Sequence, residues 1–143
     1  MSITPRSLRS VKSEGAMLNI TSTRNEAKTF AADSGSAVVT LPVGTPVAFN
    51  TSTNLWAPWV SGGSNGTSAI KGLVWPVPVK INATGGGETI GSVMLAGEAL
   101  YSDLDVSALA SSAAQLVTAL QEGGTAADLR SLGITILGLD KVI

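Results

Sequence analysis

The chain contains no cysteine and no histidine among its 143 residues. Without cysteine it has neither a disulfide framework nor a thiolate metal site. Without histidine it lacks the commonest general base, the usual zinc ligand and the Ser-His-Asp arrangement of hydrolases. These two absences argue against an enzyme, and we expect neither a metal ion nor another cofactor.

Charge is also scarce, since only 13% of the residues are charged, about half the usual share. With a mean hydropathy of +0.33, so few charges suggest that copies or partners cover some apolar surface. A net charge of −1 gives no long-range attraction to nucleic acid, and no basic stripe with interleaved aromatic residues is present. We therefore expect no nucleic-acid partner.

Long apolar runs are missing as well. No run reaches the roughly 20 residues that a helix needs to cross a bilayer. The N-terminal residues are basic but lack the apolar core of a secretory signal. The sequence therefore predicts no membrane partner and a protein that is made in the cytoplasm.

Basic and acidic residues are distributed unequally along the chain. The first 28 residues carry five basic and two acidic side chains, whereas the remainder carries four basic and eight acidic ones. A basic, polar segment without aromatic residues buries too little surface to offset its ordering entropy. We therefore predict a flexible N-terminal arm over residues 1–36 that contacts a partner, and a folded body over residues 37–143. The candidate contact residues of the arm are Ile3, Arg6, Leu8, Arg9, Val11, Lys12, Leu18 and Ile20.

Two of these residues leave the conformation of the arm open. Leu18 and Ile20 alternate with polar residues, a pattern that suits a strand formed on contact with a partner. The same residues are compatible with a tail in which both apolar side chains are incidental.

Between residues 37 and 100 the sequence pattern is typical of a β-rich domain. Short runs of β-branched and aromatic residues recur at intervals of about 8 to 12 residues, with glycine, proline and asparagine between them. The strand regions predicted from these runs are 37–41, 47–49, 55–60, 69–81 and 89–100.

The apolar period changes in the C-terminal third. One helix face is formed by Leu109, Ala113, Leu116, Val117 and Leu120. We expect Asp105 or Ser107 to cap the start of this helix and Gly123–Gly124 to end it. A short second helix over 125–132 and a last strand at 134–137 follow.

Three tryptophans make up half of the six aromatic residues. Tryptophan buries a large area while its N–H finds a polar partner, so it commonly anchors a core or a subunit interface. We assign that role to Trp56, Trp59, Trp75 and the adjoining Pro76. Tryptophan next to proline also suits a carbohydrate-binding platform.

The clustered carboxylates do not indicate a catalytic or metal site. Asp103 and Asp105 stand two residues apart with Glu98 nearby, but the further oxygen ligands that a calcium loop places at set spacings are missing. We interpret them as negative charges near a helix N-terminus.

Four segments together resemble a known family. They read LPVGTPVAFNTSTNLWAPWV at 41–60, SAIKGLVWPVPVKI at 68–81, SVMLAGEAL at 92–100 and LRSLGITI at 129–136. Their order and spacing are similar to those of the head decoration proteins of tailed phages, the family that contains the lambda head decoration (capsid-stabilising) protein. The resemblance covers roughly residues 37–136.

The resemblance implies a mixed α/β, β-rich fold: a compact β-barrel or β-tulip-like subdomain with one or two C-terminal helices and the flexible arm. It also implies a homotrimer on the outer surface of the virion head, at three-fold and quasi-three-fold sites. There the protein would cement neighbouring major capsid subunits, with the arm ordering against the capsid. The arm of this chain is long and has no aligned counterpart, so no individual contact residue carries over. The alternative function is a carbohydrate- or surface-binding module of a tail fibre or virion.

Overall fold

The computed structural model describes residues 23–32, 35, 37–121 and 134–137. All eight predicted arm contacts, from Ile3 to Ile20, and the predicted second helix at 125–132 lie outside the described residues.

The part of the chain described by the structure contains eight strands, a 3₁₀ turn and one α-helix. The strands are β1 (Arg24–Phe30), β2 (Val39–Leu41), β3 (Pro46–Asn50), β4 (Leu55–Pro58), β5 (Gly72–Val74), β6 (Val79–Ile81), β7 (Thr89–Leu100) and β8 (Ile134–Leu137). The 3₁₀ turn covers Tyr101–Asp103, and the helix α1 spans Ala113–Gln121.

Five of the strands join into a nearly closed ring. The order is β1-β4-β3-β5-β7, and β7 pairs back onto β1. The antiparallel β1–β7 pairing runs along the whole of β1, whereas the parallel β1–β4 pairing rests on Phe30 and Trp56 alone. β8 adds to β7 in parallel, and β2 pairs with β6 in a separate antiparallel sheet. The β-rich mixed fold predicted from the sequence is confirmed.

Strand β1 lies within the segment that the sequence assigned to the arm. Phe30 is fully buried and packs with Val47, Val74 and Val93 from the other ring strands. Burial of an aromatic side chain of this size makes β1 an integral strand of the fold. The expected boundary after residue 36 therefore falls beyond a strand that belongs to the sheet.

Two apolar cores lie on opposite faces of the central strands. Leu73 and Val74 contribute to different cores because successive side chains of a strand point to opposite faces. One core joins the ring to the small sheet and consists of Phe30, Leu41, Val47, Val74, Val79, Ile81 and Val93. The other is covered by α1 and β8 and consists of Trp59, Ile70, Leu73, Met94, Ala99, Leu116, Leu120 and Ile134.

The start of α1 differs from the predicted one. Ser112 Oγ accepts a hydrogen bond from Gln115 N (3.1 Å), and Gln115 Oε1 accepts one from Ser112 N (2.8 Å). This reciprocal pair is a capping box, so the helix begins at Ala113. Asp105 caps a local turn instead, where its Oδ1 accepts a hydrogen bond from Ser107 N (2.8 Å).

The turn before β3 connects the ring to the segment that follows β7. Gly44 N donates to Val74 O (2.8 Å), and Gly44 O accepts from Asp105 N (3.1 Å). Gly44 has φ +94°, a backbone conformation that only glycine adopts at little cost. A Cβ at this position would overlap the carbonyl oxygen of Asp103. The glycine therefore permits both the turn and the close approach of residues 103–105.

Candidate binding site

A candidate site is formed by an open cleft at the mouth of the ring, with a volume of about 320 Å³. Its walls come from β1, β3, β4 and β7 and from the residue before β5, so ring closure assembles it from five separate segments. The lining residues are Arg24, Phe49, Trp56, Lys71 and Leu95. This volume lies in the usual range of small-ligand sites.

The wall formed by β3 and β4 is aromatic. Phe49 and Trp56 are paired in the antiparallel register and meet edge to face, with ring centroids 6.0 Å apart. Lys28 Nζ lies 5.6 Å from the centroid of the Trp56 ring, within the range of a cation–π interaction. The cleft thus has a half-buried apolar wall with a cation held over it.

Charged side chains of β1 surround this wall. Glu26 accepts a hydrogen bond from Lys28 Nζ at 2.9 Å and one from Arg24 Nη1 at 3.2 Å. The hydrogen bond from Lys28, with the positive charges of Lys28 and Arg24, holds the pKa of the Glu26 carboxyl below its ordinary value of 4.5, although burial opposes this. Because one carboxylate serves two cations, β1 brings an excess of positive charge to the cleft.

Lys71 adds a further cation to the opening. Its backbone N donates to Val47 O (2.8 Å), which fixes the residue beside β3 just before β5 begins. Its side chain is exposed and forms no ion pair with another described residue. The cleft therefore combines apolar walls with three cations and one anion, a composition suited to a ligand with an apolar group and a carboxylate.

The predicted tryptophan anchors occupy three different environments. Trp59 is 1% exposed in the second core, where its Nε1 donates to Ser68 O (2.9 Å). Trp75 is half-buried against the same core, and the adjoining Pro76 is exposed. Trp56 alone lines the cleft. The three tryptophans therefore do not form one platform.

The clustered carboxylates also separate. Burial raises the pKa of Asp103 above its ordinary value of 3.8, and its Oδ2 is inaccessible and has no hydrogen-bond partner among the described residues. Asp105 is occupied in the turn with Ser107. Within residues 23–32, 35, 37–121 and 134–137, no three side chains of the types that commonly bind metal come together.

The sequence singles out Trp56 as a core or interface anchor and does not point to the other cleft residues. Arg24 and Lys28 fall within the predicted arm, and Phe49, Lys71 and Leu95 fall within separate predicted strand regions. The alternation of Arg24, Glu26 and Lys28 ahead of Phe30 is a period-two pattern, and this was the signal for a strand with one charged face.

No protein-family model and no curated protein matches this chain. Among the helices that the structure describes, none is both long and apolar enough to cross a membrane.

Proposed function

We propose that this protein is a head decoration, or cement, protein of a tailed phage. It binds the outside of an expanded head as a homotrimer at three-fold and quasi-three-fold sites. There it holds neighbouring major capsid subunits together against the pressure of the packaged DNA. Bridging is a mechanical role that requires neither catalytic residues nor a cofactor.

The observation that carries this proposal is the contiguity of the segments that resemble the decoration family. Val47 pairs with Gly72, and Leu73 pairs with Met94, so the three longest segments meet in the adjacent strands β3, β5 and β7. A shared fold requires segments that are matched in sequence to form one structural unit. Their convergence supports the view that the resemblance reflects a shared fold.

An exposed apolar surface supports the oligomeric part of the proposal. Val77 is 55% exposed and Ile90 is 73% exposed. Trp75 N donates to Ser92 O, which places the loop after β5 along the end of β7 that holds Ile90. This end of the sheet, with Pro76, offers an apolar contact to a second copy or to the capsid.

The segment before β1 supplies the tether in this proposal. Residues 1–22 contain three basic side chains and one acidic one, and in the sequence they stand directly before Thr23 and β1. One such segment binds weakly because it must be ordered on contact. Three on one trimer act together, and linkage of this kind raises avidity by about 10² to 10⁴.

The test uses expanded heads of the parent phage that lack this protein. The full chain should be a trimer by analytical ultracentrifugation, should co-sediment with the heads and should add density at the three-fold sites in cryo-electron microscopy maps. A variant without residues 1–22 keeps β1 and should remain trimeric but fail to sediment. A full chain that stays monomeric or leaves the three-fold sites empty contradicts the proposed function, and equal sedimentation of the truncated form contradicts the tether.

The alternative of a carbohydrate-binding module depends on Trp56, the tryptophan that lines the cleft. A glycan stacked on this ring changes its fluorescence, and Trp56→Ala should abolish that change. A flat titration with glycans of the host surface would exclude this alternative.

A further inference from the structure

Strand β1 borders the cleft, and one of its two edges is not covered by any described strand over most of its length. β1 and β4 meet only at Phe30 and Trp56, and Ala31 N donates to Trp56 O (3.1 Å). Main-chain groups two residues apart point to the same side of a strand. Those of Ala27 and Asn25 therefore point to the same side, where β4 does not extend because it begins at Leu55, whereas β7 covers the opposite side.

This edge borders the cleft described above. Arg24, Glu26 and Lys28 lie on the face of β1 that also carries the buried Phe30, and Arg24 lines the cleft itself. A strand added beside β1 would therefore place every second side chain toward the Trp56 and Phe49 wall. The same strand would pair its backbone with Ala27 and Asn25.

We propose that this edge and cleft bind an extended acidic peptide by strand addition. One aromatic or branched apolar side chain of the peptide enters the cleft against Trp56. The carboxylates of the peptide, two residues before and two residues after that apolar side chain, approach Arg24 and Lys71. The combined positive charge of these two side chains exceeds the negative charge of Glu26. Backbone hydrogen bonds to a sheet edge supply affinity in this mode, and the alternate side chains supply specificity. The site lies in the folded body and is independent of the proposed binding to phage heads.

The charge balance of the cleft selects an acidic peptide over a basic or neutral one. Arg24 and Lys28 share the single carboxylate of Glu26, and Lys71 has no described ion-pair partner. A basic peptide would add to this positive excess, whereas each carboxylate of an acidic peptide offsets part of it.

The test uses a fluorescein-labelled peptide of seven residues with blocked ends. Threonine occupies the odd positions, and aspartate, phenylalanine and aspartate occupy the second, fourth and sixth. A second peptide has asparagine in place of both aspartates. A third has the same composition, but its phenylalanine is moved by one position and so faces away from the cleft. Fluorescence anisotropy with the full-length protein should show that the first peptide binds at least about fivefold more tightly than either control.

Variants of the protein distinguish strand addition from simple charge attraction. Lys71→Glu should weaken binding of the first peptide by about five- to tenfold, whereas Lys80→Glu, an equal charge change at an exposed position of β6, should leave it unchanged. Ala27→Pro removes an N–H from the open edge, where proline is tolerated in folded sheets, and should abolish binding while the circular dichroism spectrum is kept.

Three results would overturn the proposal. One is equal binding of all three peptides, and another is equal loss of binding in Lys71→Glu and Lys80→Glu. The third is full binding by a folded Ala27→Pro variant, since it would mean that no strand is added at this edge.

Discussion

Replacing Gly44 by alanine tests the junction between the ring and the segment after β7. At φ +94° an alanine costs about 1 to 2 kcal/mol in backbone strain. Its Cβ would also overlap the Asp103 carbonyl oxygen, a backbone atom that moves only with the whole segment. Forced displacement in a packed region costs typically another 1 to 3 kcal/mol. We therefore expect Gly44→Ala to lower the free energy of unfolding by about 2 to 5 kcal/mol.

The matched control is Gly62→Ala. Gly62 has φ +72°, and a Cβ there would meet no atom within 4 Å, so the control carries the backbone strain alone, about 1 to 2 kcal/mol. Guanidinium titrations followed by tryptophan fluorescence give both values, and equal denaturant slopes show that they are comparable. Equal losses in the two variants would refute the close packing of residues 103–105 on Gly44.

Two further substitutions test the core and the buried carboxylate. Phe30 is fully buried in β1, and Phe30→Ala should lower the free energy of unfolding by about 3 to 5 kcal/mol. Val38 is 56% exposed, and Val38→Ala should change that free energy by less than about 0.5 kcal/mol. Similar losses in the two variants would mean that β1 is dispensable for the fold. Burial raises the pKa of Asp103, so the charged form of this side chain destabilises the folded state. This destabilisation decreases as the pH falls through the raised pKa toward the ordinary value of 3.8. Asp103→Asn should therefore raise the free energy of unfolding at neutral pH and raise it less at pH 3.8, as measured by urea titrations at both pH values. A larger increase at the lower pH would contradict this assignment.

The strands that can be predicted from the sequence are those whose residue pattern lies within one short segment. The region 89–100 forms one strand over its whole length, and 47–49 lies within β3. In both, β-branched or aromatic residues stand between turn residues, and this information does not depend on a distant partner. The apolar stretch 69–81 predicts only a β region, because its division between two sheets depends on which strands β5 and β6 pair with.

The charged strand and the cleft were not predictable by the same means. The sequence of Arg24–Lys28 is typical of a soluble arm because the face that points inward is charged. Only the fold shows that Glu26 and the Trp56 ring offset the positive charges of Arg24 and Lys28. The cleft depends on side chains from segments as far apart as Arg24 and Leu95, so no local window contains it. The capping box of Ser112 and Gln115 is visible in the sequence, but the apolar period extends back to Leu109 and therefore predicts an earlier start for α1.

The antiparallel pairing of β1 with β7 has a consequence for how the chain folds during synthesis. Phe30 pairs with Thr89, and Arg24 pairs with Ala96, so β1, the first strand that the structure describes, must wait until β7 has been synthesised. At translation rates of ~5 to 20 residues per second this wait is roughly 3 to 13 seconds. Closure of the ring also creates contacts of long sequence separation, which slow folding. During that interval β1 is a strand without its main partner, and its run of alternating charges acts as a gatekeeper against pairing with other nascent chains.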